Sequence, residues 1–333
     1  MADPVAEHAL LVENLSVAYP VRGRNADGSR KRLLAVDDIS FRIPRGRTLG
    51  IVGESGSGKT TAAMAAARLV ERSGGAITLD GEPFGELDPG QLRSARQRVQ
   101  IIFQDPYSSL NPRLRAADIV REPMRYAGLG RQDQDRTIHE LFEAVGLRPE
   151  QKALFPHQFS GGQRQRIGIA RALSTRPSLI ICDEPVSALD VAVQAQILNL
   201  LKSLQEQFRL TYLFISHDLG VVQHMCDEIA VMYMGKIVEQ ADRDSFFTAP
   251  RHPYSRALLQ AVPSINRPLE APETKLVEGA IPDLTQPQAG CRFASRCRHA
   301  VPACSERVPQ LEYLETAAPH RVACHRVAEI GEG

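Results

Sequence analysis

The stretch that decides the fold is Gly53-Glu54-Ser55-Gly56-Ser57-Gly58-Lys59-Thr60-Thr61. It follows the apolar run 48–52, which predicts a buried strand, and it precedes the alanine-rich run 62–69, whose residues are strong helix formers. Strand, glycine-rich turn and helix in this order are the context in which G-x-x-x-x-G-K-[ST] indicates a phosphate-binding loop. The alternative is a plain glycine-rich connector, and the completeness of the motif argues against it.

The residue types in this loop suit a bound phosphate. Its glycines tolerate positive φ and lack a Cβ, so successive backbone N–H groups are able to curl around an anion. The following helix directs the positive end of its dipole at the same place. We expect Lys59 to neutralise charge on the β- and γ-phosphates and the Thr60 hydroxyl to bind Mg²⁺. The loop therefore predicts a nucleotide site.

The composition of the 333-residue chain bounds its class. With 43% hydrophobic residues, 24% charged residues and a net charge of +1, the chain is ordinary for a globular protein and has no overall attraction to nucleic acid. No apolar run reaches the length of a membrane span, and the N-terminus lacks the layout of a signal peptide. We therefore expect a cytosolic protein that reaches a membrane only through a partner. Six cysteines in such a protein argue against a disulfide framework.

Strands and helices alternate through most of the chain. Besides 48–52, apolar runs predict strands at 10–19, 33–43, 74–81, 99–103, 178–182 and 211–216, and two more around Gly235. This pattern predicts an α/β domain with a largely parallel sheet, with β-structure ahead of the phosphate loop. Residues 105–158 are interpreted as a mostly helical insertion, and the basic stretch 22–32 as a solvated loop or hairpin tip. Beyond 249, frequent prolines and the lack of a long helical pattern predict a small irregular domain.

Two further groups of residues lie where a nucleotide site uses them. Asp183 and Glu184 close an apolar strand, so we expect Asp183 to hold Mg²⁺ and Glu184 to act on the attacking water as a general base. A solvated acidic pair is the alternative. The stretch Ser160-Gly161-Gly162-Gln163 opens a helix and predicts a second anion site, with Ser160 as the N-cap. Because one nucleotide needs one phosphate loop, this second site implies another ligand or a nucleotide presented by another subunit.

With these motifs the chain resembles the ATP-binding subunits of ABC transporters over about residues 10–245. Their signature is matched by Ser160–Gln163, preceded by Phe159 where Leu is usual. The other matches are Gln104 for the Q-loop, Ser187-Ala188-Leu189-Asp190 for the D-loop, His217 for the switch histidine and Tyr19 for the aromatic that stacks on adenine. From the residues alone, Tyr19 is equally well explained as a half-buried strand aromatic.

The resemblance implies a P-loop ABC ATPase domain over residues 1–249, with a mostly parallel core sheet, an antiparallel β subdomain and a helical subdomain at about 105–158. A small irregular C-terminal domain over 250–333 follows. The resemblance also implies a head-to-tail dimer, in which ATP lies between Gly53–Thr61 of one subunit and Ser160–Gln163 of the other. Because every motif is complete, ATP hydrolysis is expected.

The implied roles divide the site residues into three sets. Catalysis is assigned to Lys59, Gln104, Glu184 and His217, and Mg²⁺ to Thr60, Gln104 and Asp183. The residues expected at the nucleotide are Tyr19, Gly53, Glu54, Ser55, Gly56, Ser57, Gly58, Lys59, Thr60, Thr61, Gln104, Ser160, Gly161, Gly162, Gln163, Asp183, Asp190 and His217.

Sequence outside the core motifs narrows the kind of transporter. The stretches 103–112, 184–191 and 252–259 look like those of dipeptide/oligopeptide importers, and the chain looks like the second ATPase of their pair. The implied partners are a second ATPase subunit in a heterodimer, two transmembrane permease subunits and an extracytoplasmic substrate-binding protein, with no nucleic acid. The implied location is the cytoplasmic face of the cell membrane.

Other functions share parts of this pattern. Importers of nickel, glutathione or other small solutes have the same architecture. The remaining alternatives are an exporter, a soluble ABC ATPase acting on ribosomes or in DNA repair, and a regulatory module.

Four late cysteines have the spacing C-x5-C-x6-C-x19-C: Cys291, Cys297, Cys304 and Cys324. Thiolates suit Zn²⁺ or an iron–sulfur cluster, but the tight C-x2-C pairs of most structural zinc sites are missing. The family resemblance implies a [4Fe-4S] cluster, with Zn²⁺ or no metal as the alternatives. Cys182 and Cys226 read as packing residues.

Overall fold

The structure, a computed structural model, describes residues 7–24, 30–126, 128–261, 289–315 and 319–330. Its strands are β1 (His8–Arg24), β2 (Arg30–Pro44), β3 (Thr48–Val52), β4 (Gly74–Leu79), β5 (Val99–Ile102), β6 (Leu179–Asp183), β7 (Thr211–Ile215), β8 (Glu228–Tyr233), β9 (Lys236–Asp242), β10 (Glu312–Tyr313) and β11 (His320–Val322). Its helices are α1 (Lys59–Ala66), α2 (Pro89–Ala95), α3 (Ala116–Arg121), α4 (Arg131–Ala144), α5 (Gly161–Leu173), α6 (Val191–Phe208), α7 (Leu219–Met225), α8 (Arg243–Thr248), α9 (Pro253–Gln260), α10 (Pro302–Glu306) and α11 (Val327–Ile330).

The chain divides into two compact units, each assembled from separate stretches. One comprises residues 1–11, 41–48 and 77–215, and the other comprises 12–40, 49–76 and 216–333. Among the described helices, none combines the length and the apolarity needed to cross a membrane.

The first unit is built on the parallel strands β5, β6 and β7. Leu179 of β6 pairs with Val99 on one side and with Thr211 on the other. Every residue of β6 and β7 is buried, which explains why both strands read as continuous apolar runs. Because β6 ends at Asp183, the predicted acidic pair falls at the carboxyl end of the sheet.

The predicted helical insertion is present in this unit. It contains α3, α4 and short 3-10 turns at Glu122–Tyr126, Pro149–Ala153 and Pro156–Gln158. The apolar periodicity of α4 is confirmed, since Ile138, Leu141 and Phe142 are its buried residues.

In the second unit, neighbouring strands of one sheet follow the order β10-β11-β9-β8-β3. Strand β3 runs parallel to β8, and the pairs β8–β9, β9–β11 and β11–β10 are antiparallel. The C-terminal part of the chain thus supplies edge strands beside β9, with Val322 opposite Glu239. The irregular texture of the C-terminal sequence did not predict these strands, because each is only two or three residues long.

A further sheet has the strand order β2-β1-β4. In the stretch 22–32, predicted as a solvated loop or hairpin tip, the two paired strands extend further than expected, because β1 continues to Arg24 and β2 starts at Arg30. Long paired strands continue through basic residues here, since alternating side chains are free to point to solvent. Residues 25–29, the rest of that loop, lie outside the described residues. The predicted Asp80-Gly81 turn after β4 is confirmed, with φ of 54° and 84° as a type I′ turn requires.

A buried carboxylate holds the C-terminal part of the chain to β9. Glu239 is fully buried and accepts hydrogen bonds from the backbone N–H groups of Arg251 (2.7 Å) and His252 (2.8 Å). Its Oε1 also lies 2.7 Å from His320 Nε2 on β11. Burial alone raises the pKa of Glu239, but the hydrogen bonds from His320 and the two N–H groups outweigh burial, so the pKa is lowered.

We predict that Glu239→Gln lowers the free energy of unfolding by about 2–4 kcal/mol, because it removes the charge and places an amide N–H₂ among hydrogen-bond donors. Chemical denaturation measures this, with the exposed Glu312→Gln as the matched control. A carboxyl with a lowered folded-state pKa stabilises the fold above its unfolded pKa, and this contribution is lost as the pH falls through the folded value. The wild-type advantage over the variant should therefore shrink in acid; an advantage that is constant with pH would contradict this role.

Candidate functional site

The glycine-rich loop joins β3 to α1 with a backbone that only glycine accepts at two points. Gly53 and Gly58 have φ of 152° and 101°. A Cβ at Gly53 would lie 2.1 Å from the Met232 carbonyl oxygen, and one at Gly58 would lie 2.3 Å from that of Ala35. Close packing against neighbouring backbone therefore sets the curvature of the loop. At Gly56, also at positive φ (78°), a Cβ would meet nothing within 4 Å, so this side of the loop is open.

Two polar side chains of the loop, those of Ser57 and Lys59, are buried. Lys59, the first residue of α1, is buried, and its Nζ donates to the carbonyl oxygens of Gly53 (2.8 Å) and Glu54 (2.8 Å). The Ser57 hydroxyl is buried without a hydrogen-bond partner among the described residues. A buried ammonium and an unsatisfied hydroxyl beside an open cradle fit an anion with several acceptor oxygens. Ser55 and Thr60 are exposed, and Thr60 and Thr61 lie in the first turn of α1.

Glu54 connects the loop to the C-terminal part of the chain. Its carboxylate accepts two hydrogen bonds from the Arg296 guanidinium, one from Nη1 at 3.0 Å and one from Nη2 at 3.2 Å. Its backbone N–H donates to the Tyr254 hydroxyl at 2.8 Å. The hydrogen bond and charge of Glu54 raise the pKa of Arg296, so this side chain is a permanent cation. Glu54 is therefore held at its side chain and at its backbone.

The first unit brings together two of the predicted catalytic residues. Gln104 Nε2 donates to the Glu184 carboxylate at 3.1 Å, across 80 residues of sequence. Glu184 directly follows the buried Asp183, has a positive φ of 46° and donates its backbone N–H to the Ile215 carbonyl at 3.0 Å. A non-glycine residue with this φ is strained, and such strain is concentrated at functional sites.

The stretch Ser160–Gln163 begins α5 as predicted. Ser160 is the N-cap, and its side chain and that of Gln163 form a reciprocal capping box. A Cβ at Gly162 would lie 2.6 Å from Val193 on α6, so this helix start lies close to another helix. The N-terminus of α5 is therefore ordered around small residues, as an anion site requires.

The remaining predicted residues, Tyr19, Asp190 and His217, are exposed. Asp190 is exposed and caps α6 through its hydrogen bond from the Val193 N–H at 3.0 Å. His217 is exposed and lies between β7 and α7, while Tyr19 is an exposed aromatic on β1.

The four late cysteines line one cavity, together with His252 and Phe293. Burial raises the pKa of Cys291 to about 11, and it also raises the pKa of Cys297 and Cys324. Within the described residues, however, no three His, Cys, Asp or Glu side chains are arranged to hold a metal ion. The four thiols therefore lie around one cavity, without a ligating arrangement among the described residues. Cys182 and Cys226 are buried in the core, as predicted.

Two family models match the chain. The model described as "ABC transporter" covers residues 36–187, and the one described as "Oligopeptide/dipeptide transporter, C-terminal region" covers residues 238–304. Over 322 residues the chain is 44% identical to the oligopeptide transport ATP-binding protein AppF of Bacillus subtilis. The aligned region covers 96% of this chain and 97% of that protein. The chain belongs to the ATP-binding proteins of ABC transporters. It is therefore an ABC ATPase.

Another curated relative and a solved structure are similar to this ABC ATPase. The probable peptide ABC transporter ATP-binding protein y4tS of Sinorhizobium fredii is 44% identical, over 96% of this chain and 90% of that protein. Among solved structures, the ATP-binding cassette MJ0796, in a dimeric post-hydrolysis state bound to ADP and Pi, superposes with a TM-score of 0.62. It is 26% identical and covers 70% of this chain and 98% of that chain. The predicted P-loop ABC ATPase fold is thereby confirmed.

Sequence reasoning missed the partners of Glu54 in the ATPase. Tyr254 lies in the stretch 252–259, which indicated only a family, and Arg296 precedes Cys297 in a stretch that indicated only the same family and a cysteine site. The sequence shows a carboxylate in the phosphate loop and an arginine far along the chain, but nothing in it indicates that the two side chains form a pair. No sequence spacing relates residues 242 positions apart.

We predict that Gly58→Ala destabilises the nucleotide-free ATPase by roughly 3 kcal/mol or more, because its methyl group would collide with backbone. Gly56→Ala is the matched control, because its methyl group meets no other atom. It should lower the free energy of unfolding only by the cost of a positive φ, about 1–2 kcal/mol. Thermal or chemical unfolding without nucleotide compares the two. Equal losses would contradict the close packing of Gly58 against Ala35.

Proposed function

We propose that this ABC ATPase powers the import of dipeptides or oligopeptides. The observation that carries ATP hydrolysis is the Gln104–Glu184 contact at the end of β6, in a chain with a complete phosphate loop. The import of peptides is supported by the match of residues 238–304 to the oligopeptide/dipeptide C-terminal region and by relatives named for peptide transport.

The proposed roles follow from the charges and positions of the side chains. Lys59 would exchange the loop carbonyls for the β- and γ-phosphates of ATP, and Thr60, Gln104 and Asp183 would hold Mg²⁺. Mg²⁺ supplies electrostatic stabilisation of the phosphates. Glu184 orients and deprotonates the attacking water, and its hydrogen bond from Gln104 holds the carboxylate in position.

His217 and the helix starts complete the proposed site. His217 contacts the γ-phosphate, and Tyr19 stacks on the adenine. The start of α5 at Ser160–Gln163, with Asp190, serves the nucleotide of a partner ATPase in a head-to-tail dimer. Exposure of Ser160 and Asp190 supports this arrangement, since a second subunit needs access to both.

The proposed assembly contains a different second ATPase, two permease subunits and an extracytoplasmic substrate-binding protein. The ATPase domain is residues 1–249, with its helical subdomain at about 105–158, and the C-terminal domain is 250–333. Contact with the permeases is supported by exposed aromatic residues of the helical subdomain, Tyr107 and Tyr126. The chain would then lie at the cytoplasmic face of the membrane, bound through the permeases.

We predict that Glu184→Gln keeps ATP affinity within about twofold and lowers kcat by at least about 100-fold, because the amide binds water but accepts no proton. Phosphate release by the assembled transporter measures this, and ATP binding is measured separately. The exposed Glu206→Gln on α6 is the control and should keep full turnover. Wild-type phosphate release from Glu184→Gln would refute the role of Glu184 as base.

Uptake by cells that carry the complete transporter tests the cargo. Labelled dipeptides and tetrapeptides should accumulate with the wild-type ATPase and not with Glu184→Gln. Uptake of Ni²⁺ or glutathione, with none of peptide, would instead support the alternative importers.

We also propose that the four late cysteines form a soft-ligand site for a [4Fe-4S] cluster, with Zn²⁺ as the alternative. Their convergence on one cavity and their thiol chemistry support this. A bound cation would lower the thiol pKa values that burial raises, and it would tie together an irregular segment. The lack of a ligating arrangement among the described residues predicts that the thiols must move to bind.

Elemental analysis of anaerobically purified protein tests this site. We expect iron and acid-labile sulfide with cluster absorption in the wild type, and loss of both in Cys297→Ser but not in the exposed Ser295→Ala. Stoichiometric zinc without iron would refute the cluster, and the absence of both metals would refute the metal site.

A further inference from the structure

The phosphate loop is held at Glu54 by side chains from the C-terminal part of the chain. Arg296 pairs with both carboxylate oxygens, which is the bidentate geometry that an arginine and a carboxylate form best. Tyr254 accepts a hydrogen bond from the Glu54 N–H at 2.8 Å. The side chain of Arg296 is only 11% exposed, against 41% for Glu54, so the pair is partly shielded from water. Such a pair is stronger than a fully exposed ion pair.

Arg296 is itself fixed by an aromatic cluster. Its Nη1 also donates to the Tyr233 hydroxyl at 3.2 Å, and its guanidinium carbon lies 5.8 Å from the Tyr233 ring centroid. The centroids of Tyr254 and Phe293 lie 4.6 and 5.3 Å from that of Tyr233. Packed rings do not adjust easily, so the guanidinium has a defined position from which to hold Glu54.

A second arginine anchors the same segment. Arg292 pairs with Asp37 and donates to the Met234 carbonyl oxygen. Its Nη1 would lie 3.0 Å from a Cβ at Gly235. The segment 291–297 is therefore attached at two points, through Arg292 near β2 and through Arg296 at the phosphate loop.

Glu54 in turn contacts the lysine of the loop. The Glu54 carbonyl oxygen lies 2.8 Å from Lys59 Nζ. A shift of Glu54 therefore moves a carbonyl that holds the ammonium. The Glu54 carboxylate also places a negative charge in a loop built to bind phosphates, where it opposes the ligand unless it is paired. Arg296 supplies the compensating charge.

We propose that Arg296 is a positioning residue for ATP binding, which acts through the Glu54 carboxylate by neutralising it and by fixing the phosphate loop. The segment 291–297 thereby sets the nucleotide affinity of the subunit. This inference rests on the proposed binding of ATP at Gly53–Thr61.

The test measures the dissociation constant of the non-hydrolysable analogue AMP-PNP with Mg²⁺ on the purified full chain. Arg296→Met should weaken binding roughly tenfold, the fold-change expected for loss of a partly buried charge-assisted pair. Arg296→Lys, which keeps the charge but not the fork, should weaken it about threefold. Glu54→Gln breaks the pair but leaves no unpaired carboxylate beside the phosphates, so it should weaken binding only about threefold, less than Arg296→Met does.

The double variant Glu54→Gln with Arg296→Met gives the sharpest outcome. Because it removes the unpaired carboxylate, its affinity should recover to within about threefold of wild type. A merely structural role for Arg296 predicts a lower unfolding temperature with unchanged affinity of the folded fraction. That result, or a double variant as weak as Arg296→Met, would overturn the inference.

Two controls separate this inference from the proposed function. Arg298 lies in the same part of the chain, is exposed and forms its described hydrogen bond with His299. Arg298→Met should therefore bind AMP-PNP as the wild type does. Lys59→Ala should abolish binding. If Lys59→Ala binds normally, the proposed nucleotide site fails; if Lys59→Ala fails to bind while Arg296→Met binds normally, only the role of Arg296 fails.

Discussion

The close packing of a glycine loop against neighbouring backbone is the constraint on which the rest of the second unit depends. Gly53 lies against the carbonyl of Met232 and Gly58 against that of Ala35, both at distances that leave no room for a side chain. Because β8 carries Met232, the loop, the strand beside it and the start of α1 must form together. The open side at Gly56 is then the space left for a ligand. Backbone packing at Gly53 and Gly58 therefore sets the curvature of the loop.

Two of the predicted site residues, Ser160 and Asp190, lie at the starts of helices. Ser160 and Asp190 each cap the helix that they begin, so their polar atoms are engaged within their own element. The ABC ATPase thus has ordered helix N-termini at these positions, and a helix N-terminus in general favours an anion through its backbone N–H groups. Glu184 differs, because its strained backbone and its contact with Gln104 set the position of a carboxylate.

The C-terminal part of the chain is integrated with the second unit through polar contacts. The buried Glu239 accepts hydrogen bonds from two backbone N–H groups and contacts the His320 ring nitrogen. Glu54 accepts hydrogen bonds from Arg296. A buried charge such as that of Glu239 is tolerated only when its hydrogen bonds are satisfied, so its contacts specify one arrangement of the chain. An apparently irregular segment is therefore fixed beside the phosphate loop, with four converging thiols next to it.

The sequence by itself determined the α/β class, the phosphate loop, the helix starting at Gly161, the helical insertion and the family. These depend on local signals, such as a complete motif, apolar periodicity and a capping residue, which physical chemistry ties to one conformation. Only the tertiary structure decided that Gln104 contacts Glu184, that β11 pairs with β9 and that Arg296 holds Glu54. Those contacts join residues 80 to 242 positions apart. Their formation depends on how buried strands and polar groups pack, and no local pattern of residues encodes that packing.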